Sequence, residues 1–372
     1  MIYLDNAATS FPKPKCVIDK LIYCIEKASG NPGRSSHALS LAAAEEIYNT
    51  RERLAAHFNF PYPENIIFTY NATYAINLAL HAFLRSGDHV LISDMEHNAV
   101  IRPLELLRKS KGIDFSCFST SESIDDSIAK GLRKNTRAIV STLASNVTGK
   151  RINLDVLSKA ARDAGILLIT DASQAAGHEK IDLIKTPCDC LCAPAHKGLF
   201  GIQGAGFAIF SSAESIEPLI VGGSGTNSRE PFMPPFLPEM MEAGTPSTPS
   251  IAALGEGIKF IDDIGLHHIA KKERTLSDMA KAILAESPRL ELYDSFGGTV
   301  LFNIKGASES TVCRALDGRE ICVRGGLHCA PSAHRVLGTE STGAVRASFS
   351  CLNTLAEAEY FAKEVCKIAA EI

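Results

Sequence analysis

Two ionisable side chains, Asp171 and Lys197, stand at the ends of predicted strands. The apolar run 166–169 is typical of a buried strand and stops at Asp171, and a second run, 188–192, leads into His196 and Lys197. A lysine amine can anchor an aldehyde as a Schiff base, and a carboxylate beside a pyridine nitrogen keeps that nitrogen protonated. The pair therefore points to pyridoxal 5'-phosphate. Taken singly, both residues are more often solvated loop residues, so the interpretation depends on what accompanies them.

Three further polar residues, Thr73, His97 and Asn146, also follow predicted strands. In an open parallel sheet the ligand crevice lies outside the carboxyl ends of the strands, so five segments are expected to deliver side chains to one place. The helix start around Asn71 and Thr73 offers free N–H groups to the cofactor phosphate, although either residue could simply cap that helix. His97 would lie over the pyridine ring and act in catalysis by exchanging protons near neutral pH, the alternative being an ordinary loop histidine.

The order of the predicted elements favours an α/β fold. Strand and helix patterns alternate from residue 65 to residue 210, which predicts a mostly parallel sheet with helices on both faces. A chain of 372 residues is long enough for two domains. We expect an N-terminal arm over 1–14, a large cofactor-binding domain over 15–250 and a smaller C-terminal α+β domain over 251–372. The glycine- and proline-rich stretch 221–250 predicts a long functional loop.

The composition limits the classes of partner. A formal charge of −4 and a pI near 6.3 give no electrostatic footprint for nucleic acid or an anionic membrane. No stretch approaches a membrane span and the first residues do not resemble a signal peptide, so we expect a cytoplasmic protein. Scattered single cysteines, 11 in all, favour reduced thiols. Cys188, Cys190 and Cys192 alternate, which favours buried small side chains over a metal site, and no metal is expected.

Short motifs distributed over nearly the whole chain carry a family resemblance. They are YLDNAAT (3–9), GNP with SSH (30–37), MEHNA (95–99), SNVTG (145–149), DASQ (171–174), HKG (196–198), EAGTP (242–246), RGGLHCAP (324–331) and RASF with LNT (346–354). Most are weak alone, but their order and spacing are specific. The chain resembles the cysteine desulfurase and selenocysteine lyase branch of the class V, fold-type I pyridoxal-phosphate enzymes.

This resemblance implies roles for the residues of the site. Gln174 would donate to the phenolate oxygen of the cofactor, Thr73 and His196 would hold its phosphate, and His97 would stack on its ring. A homodimer is implied, with Thr245 contributed by the partner subunit. The implied cofactor-binding residues are Lys197, Asp171, Gln174, His196, Thr73, Ala72, Asn71, His97 and Thr245. The implied substrate-binding residues are Asn146, Arg346 and Ala7, of which the first two would clamp the substrate carboxylate.

Cys329, within RGGLHCAP, resembles the nucleophile of the family. Its thiolate would attack the sulfur of L-cysteine, take it as a persulfide and leave L-alanine, while Lys197, once freed, would remove the α-proton. Arg324 and His328 are expected to lower the pKa of the thiol. The short segment between Cys329 and Arg346 resembles the short-loop subgroup, whose members pass sulfur to an acceptor protein.

Other functions stay open at this point. A selenocysteine lyase would release selenium without needing the thiol, and a class V aminotransferase or β-lyase would leave Cys329 incidental. A scaffold or sulfur-binding partner without a cofactor would leave Lys197 unmodified.

The chain also departs from the family pattern in two places. Pro194 and Ala195 replace the usual hydroxyl residue and glycine, and Asn71 and Tyr74 replace the glycine and glutamate of the phosphate loop. These changes bear on phosphate contacts and cofactor affinity and leave Lys197 in place.

Overall fold

The computed structural model describes residues 1–33, 35–214, 216–226 and 229–372, so residues 227–228 of the predicted long loop lie outside it. The strands are β1 Ile2–Tyr3, β2 Ile66–Thr69, β3 His89–Ser93, β4 Asp114–Phe118, β5 Thr136–Thr142, β6 Leu167–Asp171, β7 Cys190–Pro194, β8 Gly206–Phe210, β9 Leu290–Tyr293, β10 Thr299–Ile304, β11 Ile321–Cys322, β12 Arg324–Gly326 and β13 Ala344–Ser348. The helices are α1 Lys15–Lys27, α2 Ala38–His57, α3 Ala72–Phe83, α4 Asn98–Lys111, α5 Ile124–Gly131, α6 Leu154–Ala164, α7 Thr248–Ile264, α8 Leu266–Leu284, α9 Glu309–Asp317, α10 Pro331–Val336 and α11 Leu355–Glu371, and a 3-10 turn spans Pro63–Asn65.

A sheet of seven strands forms the centre of the molecule, in the order β2-β8-β7-β6-β5-β3-β4. Strands β4, β3, β5, β6 and β7 are parallel, whereas β8 runs antiparallel to both of its neighbours. The predicted mostly parallel α/β sheet is therefore confirmed. The parallel strands end on the same side, which brings the segments after β3, β5, β6 and β7 together.

Apolar side chains on alternate residues give this sheet two buried faces. In β3, Leu91 joins the core formed with α2, α6 and α7, while Val90 and Ile92 join the core formed with α3 and α4. Successive side chains of a strand point to opposite faces, so continuous apolar strands need cover on both sides. Helices cover both faces of the sheet and so hold in place the strand ends that carry the site.

A second sheet has four antiparallel strands in the order β12-β13-β10-β9. Its apolar face packs with residues of α8, α9 and α11. Strand β1 pairs in parallel with β11, so the first residues of the chain attach to this later part. Ile251 and Leu254 of α7 belong to the core of the seven-stranded sheet, and the domain boundary expected after residue 250 stays a prediction.

Membrane-crossing helices are not found in the described ranges, where no helix combines sufficient length with sufficient apolar character.

Helix α7 presses closely on the turn that follows Lys197. A Cβ atom added at Gly257 would lie 2.1 Å from the carbonyl oxygen of Leu199 and 3.0 Å from the amide nitrogen of Gly201. Both neighbours are main chain, so they cannot rotate away as a flexible side chain would. The absence of a side chain at Gly257 therefore sets how closely α7 supports the lysine-bearing turn.

We expect Gly257→Ala to lower the free energy of unfolding by about 2 kcal/mol, because overpacking costs about 1–3 kcal/mol and exceeds the gain in helix propensity. Urea unfolding measures the change. Gly318→Ala is the matched control, since a Cβ there has no neighbour closer than 3.6 Å and the residue already has φ −61°. Equal stability of the Gly257→Ala variant and the original protein would contradict the close approach.

Candidate active site

One cavity of about 100 Å³ at the carboxyl ends of the strands contains most of the residues predicted from the sequence. A second cavity beside it includes Ala7 and shares Gln174 and Lys197 with the first. Thr245 lies elsewhere, exposed, with its hydroxyl 3.4 Å from the side-chain amide of Asn31. The predicted residues that line the first cavity are Asn71, Ala72, Thr73, His97, Asn146, Asp171, Gln174, His196 and Lys197.

Lys197 lies beyond the end of β7, and Asp171 is the last residue of β6. Burial lowers the pKa of the Lys197 amine to about 8, although the Asp171 carboxylate opposes the shift. Asp171 is 4% exposed, and its Oδ1 accepts a bond of 2.9 Å from the amide of Ser173. A buried amine with this pKa is partly neutral near physiological pH and so is available to form a covalent bond to an aldehyde.

The start of α3 forms the other end of the cavity. Asn71 caps this helix, with Oδ1 accepting a bond of 2.9 Å from the amide of Tyr74, so the capping alternative holds for Asn71. The Nδ1 atom of His196 is buried without a partner among the described residues, and His196 lines the same cavity. A helix N-terminus and an unpartnered ring nitrogen suit a phosphate group, and Lys197 with Asp171 suits the ring of pyridoxal phosphate. The residues present therefore fit this cofactor.

The motif that contains His97 also supplies a buried acid. The Nδ1 atom of His97 accepts a bond of 3.0 Å from the amide of Ala99, which leaves the proton of the neutral ring on Nε2. Burial lowers the pKa of His97, and the charge on Lys197 adds to the effect. Burial raises the pKa of Glu96 to about 8, and its Oε1 accepts a bond of 2.7 Å from the amide of Thr142 while Oε2 has no partner.

The N-terminal arm contacts the lysine-bearing turn through a single carbonyl group. The carbonyl oxygen of His196 accepts bonds from the amide of Ser10 at 2.9 Å, the hydroxyl of Thr9 at 3.1 Å and the amine of Lys13 at 3.0 Å. Gln174 Nε2 donates to the carbonyl of Ala7 at 2.9 Å, whereas a bond to the cofactor phenolate was expected of this side chain. That cofactor role stays a prediction.

The expected substrate clamp is bonded within the protein. Arg346 is 2% exposed, and its Nη2 lies 2.8 Å from Oδ1 of Asp5, while Nη1 donates to the carbonyl of Asn146. The Nδ2 atom of Asn146 donates to the carbonyl of His328 at 2.7 Å. Arg324, on β12, stands opposite Arg346 in the register of the two strands, is exposed and forms no ion pair within the described residues. Arg346 and Arg324 therefore occupy paired positions on neighbouring strands, and the charges of both act on the Lys197 amine.

Main-chain bonds hold the loop of Cys329 beside the cavity. The carbonyl of Cys329 accepts a bond of 2.8 Å from the amide of Asn98, the residue after His97. His328 and Cys329 have φ values of 50° and 57°, in the left-handed region that residues other than glycine seldom adopt. The thiol-bearing residue is exposed. The loop thus presents Cys329 next to the segment that carries His97.

The ring of His328 is neutral, which corrects the expectation that it lowers the pKa of the thiol through a positive charge. Its Nε2 donates to the carbonyl of Arg324 at 3.2 Å, so Nδ1 is the acceptor in its 3.1 Å bond with Nε2 of His334. His334 Nδ1 in turn accepts from the hydroxyl of Thr339 at 2.8 Å. Burial, with Arg346 nearby, lowers the pKa of His328 to about 3.

Metal binding finds no support in the part of the chain that the structure describes, where no group of three or more His, Cys, Asp or Glu residues is arranged to hold an ion. The sulfur atoms of Cys190 and Cys192 are 3.8 Å apart inside the core.

Asp5, Glu96 and Lys13 are site residues that the sequence reasoning did not single out. Each lies inside or beside a recognised motif, and position within those motifs was the available signal. The sequence did not show which side chains pair, since Asp5 and Arg346 are 341 positions apart.

Comparison with known proteins agrees with this geometry. The family described as aminotransferase class-V matches residues 2–361. A probable cysteine desulfurase of Synechocystis is 31% identical over 97% of this chain and 89% of its own length, and a cysteine desulfurase of Serratia proteamaculans is 30% identical over 96% and 91%. Among solved structures, the apo cysteine desulfurase of Thermococcus onnurineus superposes with a TM-score of 0.90 at 28% identity, covering 100% of this chain and 95% of that one.

The cysteine desulfurase CsdA of Escherichia coli likewise gives a TM-score of 0.90 at 25% identity, over 99% of this chain and 94% of its own. The predicted fold-type I architecture is confirmed by these superpositions. The chain therefore belongs to the class-V aminotransferase family and, within it, to the cysteine desulfurases.

Proposed function

We propose that the chain is a cysteine desulfurase that converts L-cysteine to L-alanine and takes the sulfur onto Cys329 as a persulfide. The observation that carries the proposal is the bond from the amide of Asn98 to the carbonyl of Cys329, because it ties an exposed thiol to the segment that lines the cavity of Lys197. Near-full-length similarity to cysteine desulfurases supports the same reaction.

Enzymes of the class V family depend on pyridoxal 5'-phosphate, which supplies an electron sink conjugated to the α-carbon of the substrate. In our proposal Lys197 anchors this cofactor and then, as a free amine, removes the α-proton. Asp171 would keep a proton on the ring nitrogen, and the amides at the start of α3, with Thr73 and His196, would hold the phosphate. His97 would stack on the ring.

The sulfur transfer balances without an added oxidant or reductant. The Cys329 thiolate attacks the substrate sulfur, and an S–S bond forms as the C–S bond breaks. The β-carbon takes a proton and the α-carbon regains the one that Lys197 removed, which gives L-alanine. Arg346 and Asn146 orient the substrate through its carboxylate, and Arg324 supplies a second guanidinium beside them.

We also propose that the chain has the short-loop arrangement and that a separate acceptor protein collects the sulfur. Cys329 and Arg346 are 17 positions apart, and α10 fills part of that interval. The carbonyls of His328 and Cys329 are both bonded to the cavity wall, which restricts how far the thiol can travel. An acceptor must then approach the thiol, and the part-exposed Leu327 and Val336 provide apolar contacts near it.

A homodimer is a further part of the proposal. Exposed apolar side chains are concentrated on α1 and at the start of α2, where a second copy could cover them. Thr245 is exposed and absent from its own chain's cavity, as expected of a residue that serves the partner subunit. The exposed residues of this surface are Ile18, Ile22, Tyr23, Ile25, Leu39 and Leu41.

Incubation of the holoenzyme with L-cysteine should add about 32 mass units at Cys329, the mass of one sulfur atom in a persulfide. We expect Cys329→Ala to lower alanine formation on the order of 10³-fold and Lys197→Ala to abolish it, because each removes a group that acts on the reacting atoms. Intact-protein and peptide mass spectrometry, with quantified alanine, gives the readout.

The matched control for that experiment is Cys16→Ala, which removes another exposed thiol and should leave the reaction unchanged. Alanine formation that survives in Cys329→Ala, with cysteine or with selenocysteine, would favour a lyase. Formation of a keto acid in place of alanine would favour an aminotransferase.

The neutral His328 ring predicts an acid-sensitive fold. The pKa of His328 is about 3 in the folded chain and about 6.5 when unfolded, so between these values the unfolded chain binds the extra proton and stability falls as the pH falls. Between pH 7 and pH 5 this residue should cost about 2 kcal/mol of unfolding free energy. His328→Gln keeps one donor and one acceptor without titrating, so urea unfolding should show a correspondingly smaller loss.

Exposed His267 provides the comparison, and His267→Gln should keep the pH dependence of the original protein. If His328→Gln and the original protein lose the same stability between pH 7 and pH 5, His328 is not held neutral by the fold.

A further inference from the structure

The guanidinium of Arg346 is bonded to a carboxylate that belongs to the protein. Asp5 Oδ1 lies 2.8 Å from Nη2, Nη1 donates to the carbonyl of Asn146, and Nε is buried without a partner. The side chain of Arg346 is 2% exposed and that of Asp5 is 20% exposed. Arg346 is also the residue assigned to the substrate carboxylate in the proposed function, on which the present inference rests.

The shape of a guanidinium limits how a second carboxylate can join. Two parallel N–H bonds to a carboxylate require either the edge formed by Nη1 and Nη2 or the edge formed by Nε and Nη2. Both edges include Nη2, the nitrogen that Asp5 contacts. A substrate carboxylate can therefore bind Arg346 in the bidentate manner only by sharing or taking the place of Asp5.

We propose that Asp5 stands in for the substrate carboxylate on Arg346 and competes with it, so that Asp5 sets the affinity of the site for α-amino acids. Two carboxylates on one nitrogen repel each other, and in a largely buried site this repulsion is weakly screened. Asp5 reaches solvent through its exposed fraction, whereas Arg346 does not. The side chain that moves on binding is thus Asp5.

The main chain at Asp5 is held independently of its carboxylate. The carbonyl of Asp5 accepts bonds from the amide of Ala8 at 3.0 Å, the amide of Thr9 at 3.4 Å and the hydroxyl of Tyr3 at 3.2 Å. Rotation of the Asp5 side chain away from Arg346 therefore leaves the arm in place. For the same reason a substitution that alters only the carboxylate tests the competition without removing the arm.

Arg324 is a second positive charge beside Arg346, and it attracts anions without competing for them. It faces Arg346 across the β12-β13 pair and has no ion-pair partner among the described residues. Its charge attracts any anion that approaches, including Asp5, but it gives no reason for an amino acid to bind more tightly when Asp5 loses its charge. Relief of the contest for Arg346 gives that result, together with the loss of the repulsion between Asp5 and the bound carboxylate.

The test compares Asp5→Asn with the original holoenzyme by calorimetric titration of L-alanine and of ethylamine, which lacks the carboxylate, and by the KM and kcat for L-cysteine. Asparagine keeps the shape and an acceptor for Nη2 but removes the charge. We expect Asp5→Asn to lower the Kd for L-alanine and the KM for L-cysteine about three- to tenfold, with the Kd for ethylamine unchanged. Asp5→Glu restores a carboxylate and should return both values towards those of the original protein.

Asp19→Asn is the matched control, because it removes one negative charge from an exposed ion pair on α1 and should change none of these values. An unchanged or raised Kd for L-alanine in a folded Asp5→Asn variant overturns the inference, since Asp5 would then only support Arg346. If the original holoenzyme does not turn over L-cysteine, but Asp5→Asn still binds L-alanine more tightly, the proposed function is overturned and the competition for Arg346 stands.

Discussion

The charges that surround the Lys197 amine determine what this site can bind. Burial lowers the pKa of that amine, Asp171 and Asp5 favour its charged form, and Arg346 and Arg324 oppose it. Three basic groups therefore face two carboxylates, and the space between them is electropositive. An anionic cofactor and an anionic substrate both suit such a space, because each supplies negative charge where water is largely excluded.

The N-terminal arm makes this arrangement rigid. Its hydroxyl, amide and amine groups converge on the His196 carbonyl, its Ala7 carbonyl accepts from Gln174, and its Ala7 amide donates to the hydroxyl of Ser348 in β13. The arm thus bonds to the lysine-bearing turn and to β13 of the four-stranded sheet. A lysine that must change between anchor and base needs a fixed main chain, and these bonds provide it.

Much of the fold was predictable from the sequence, because burial on both sides of a sheet leaves continuous apolar runs. The alternation of strands and helices expected from residue 65 to residue 210 agrees with the interval from β2 to β8. The runs ending near Asp171 and Lys197 were displaced by only one or two residues, since a strand end depends on local bonding that apolar patterning does not encode. The convergence of polar residues on one cavity followed from the parallel order of the strands.

The partners of those residues were not predictable in the same way. Asn146 and Arg346 carry a resemblance to a substrate clamp, but their bonds to His328 and Asp5 join segments far apart in the sequence. The neutrality of His328 depends on the burial of its ring beside Arg346, and a motif carries no information on how deeply a ring is buried.

The position of the arm also has a consequence for biogenesis. Residues 3–13 leave the ribosome long before His196, Ser348 and Asn353, the residues to which they are bonded in the folded chain. Contacts of such sequence separation close late, so the arm must remain unpaired while the central sheet forms. Completion of the crevice is therefore among the last events of folding, because Lys197 is in place before the N-terminal arm bonds to the turn that carries it.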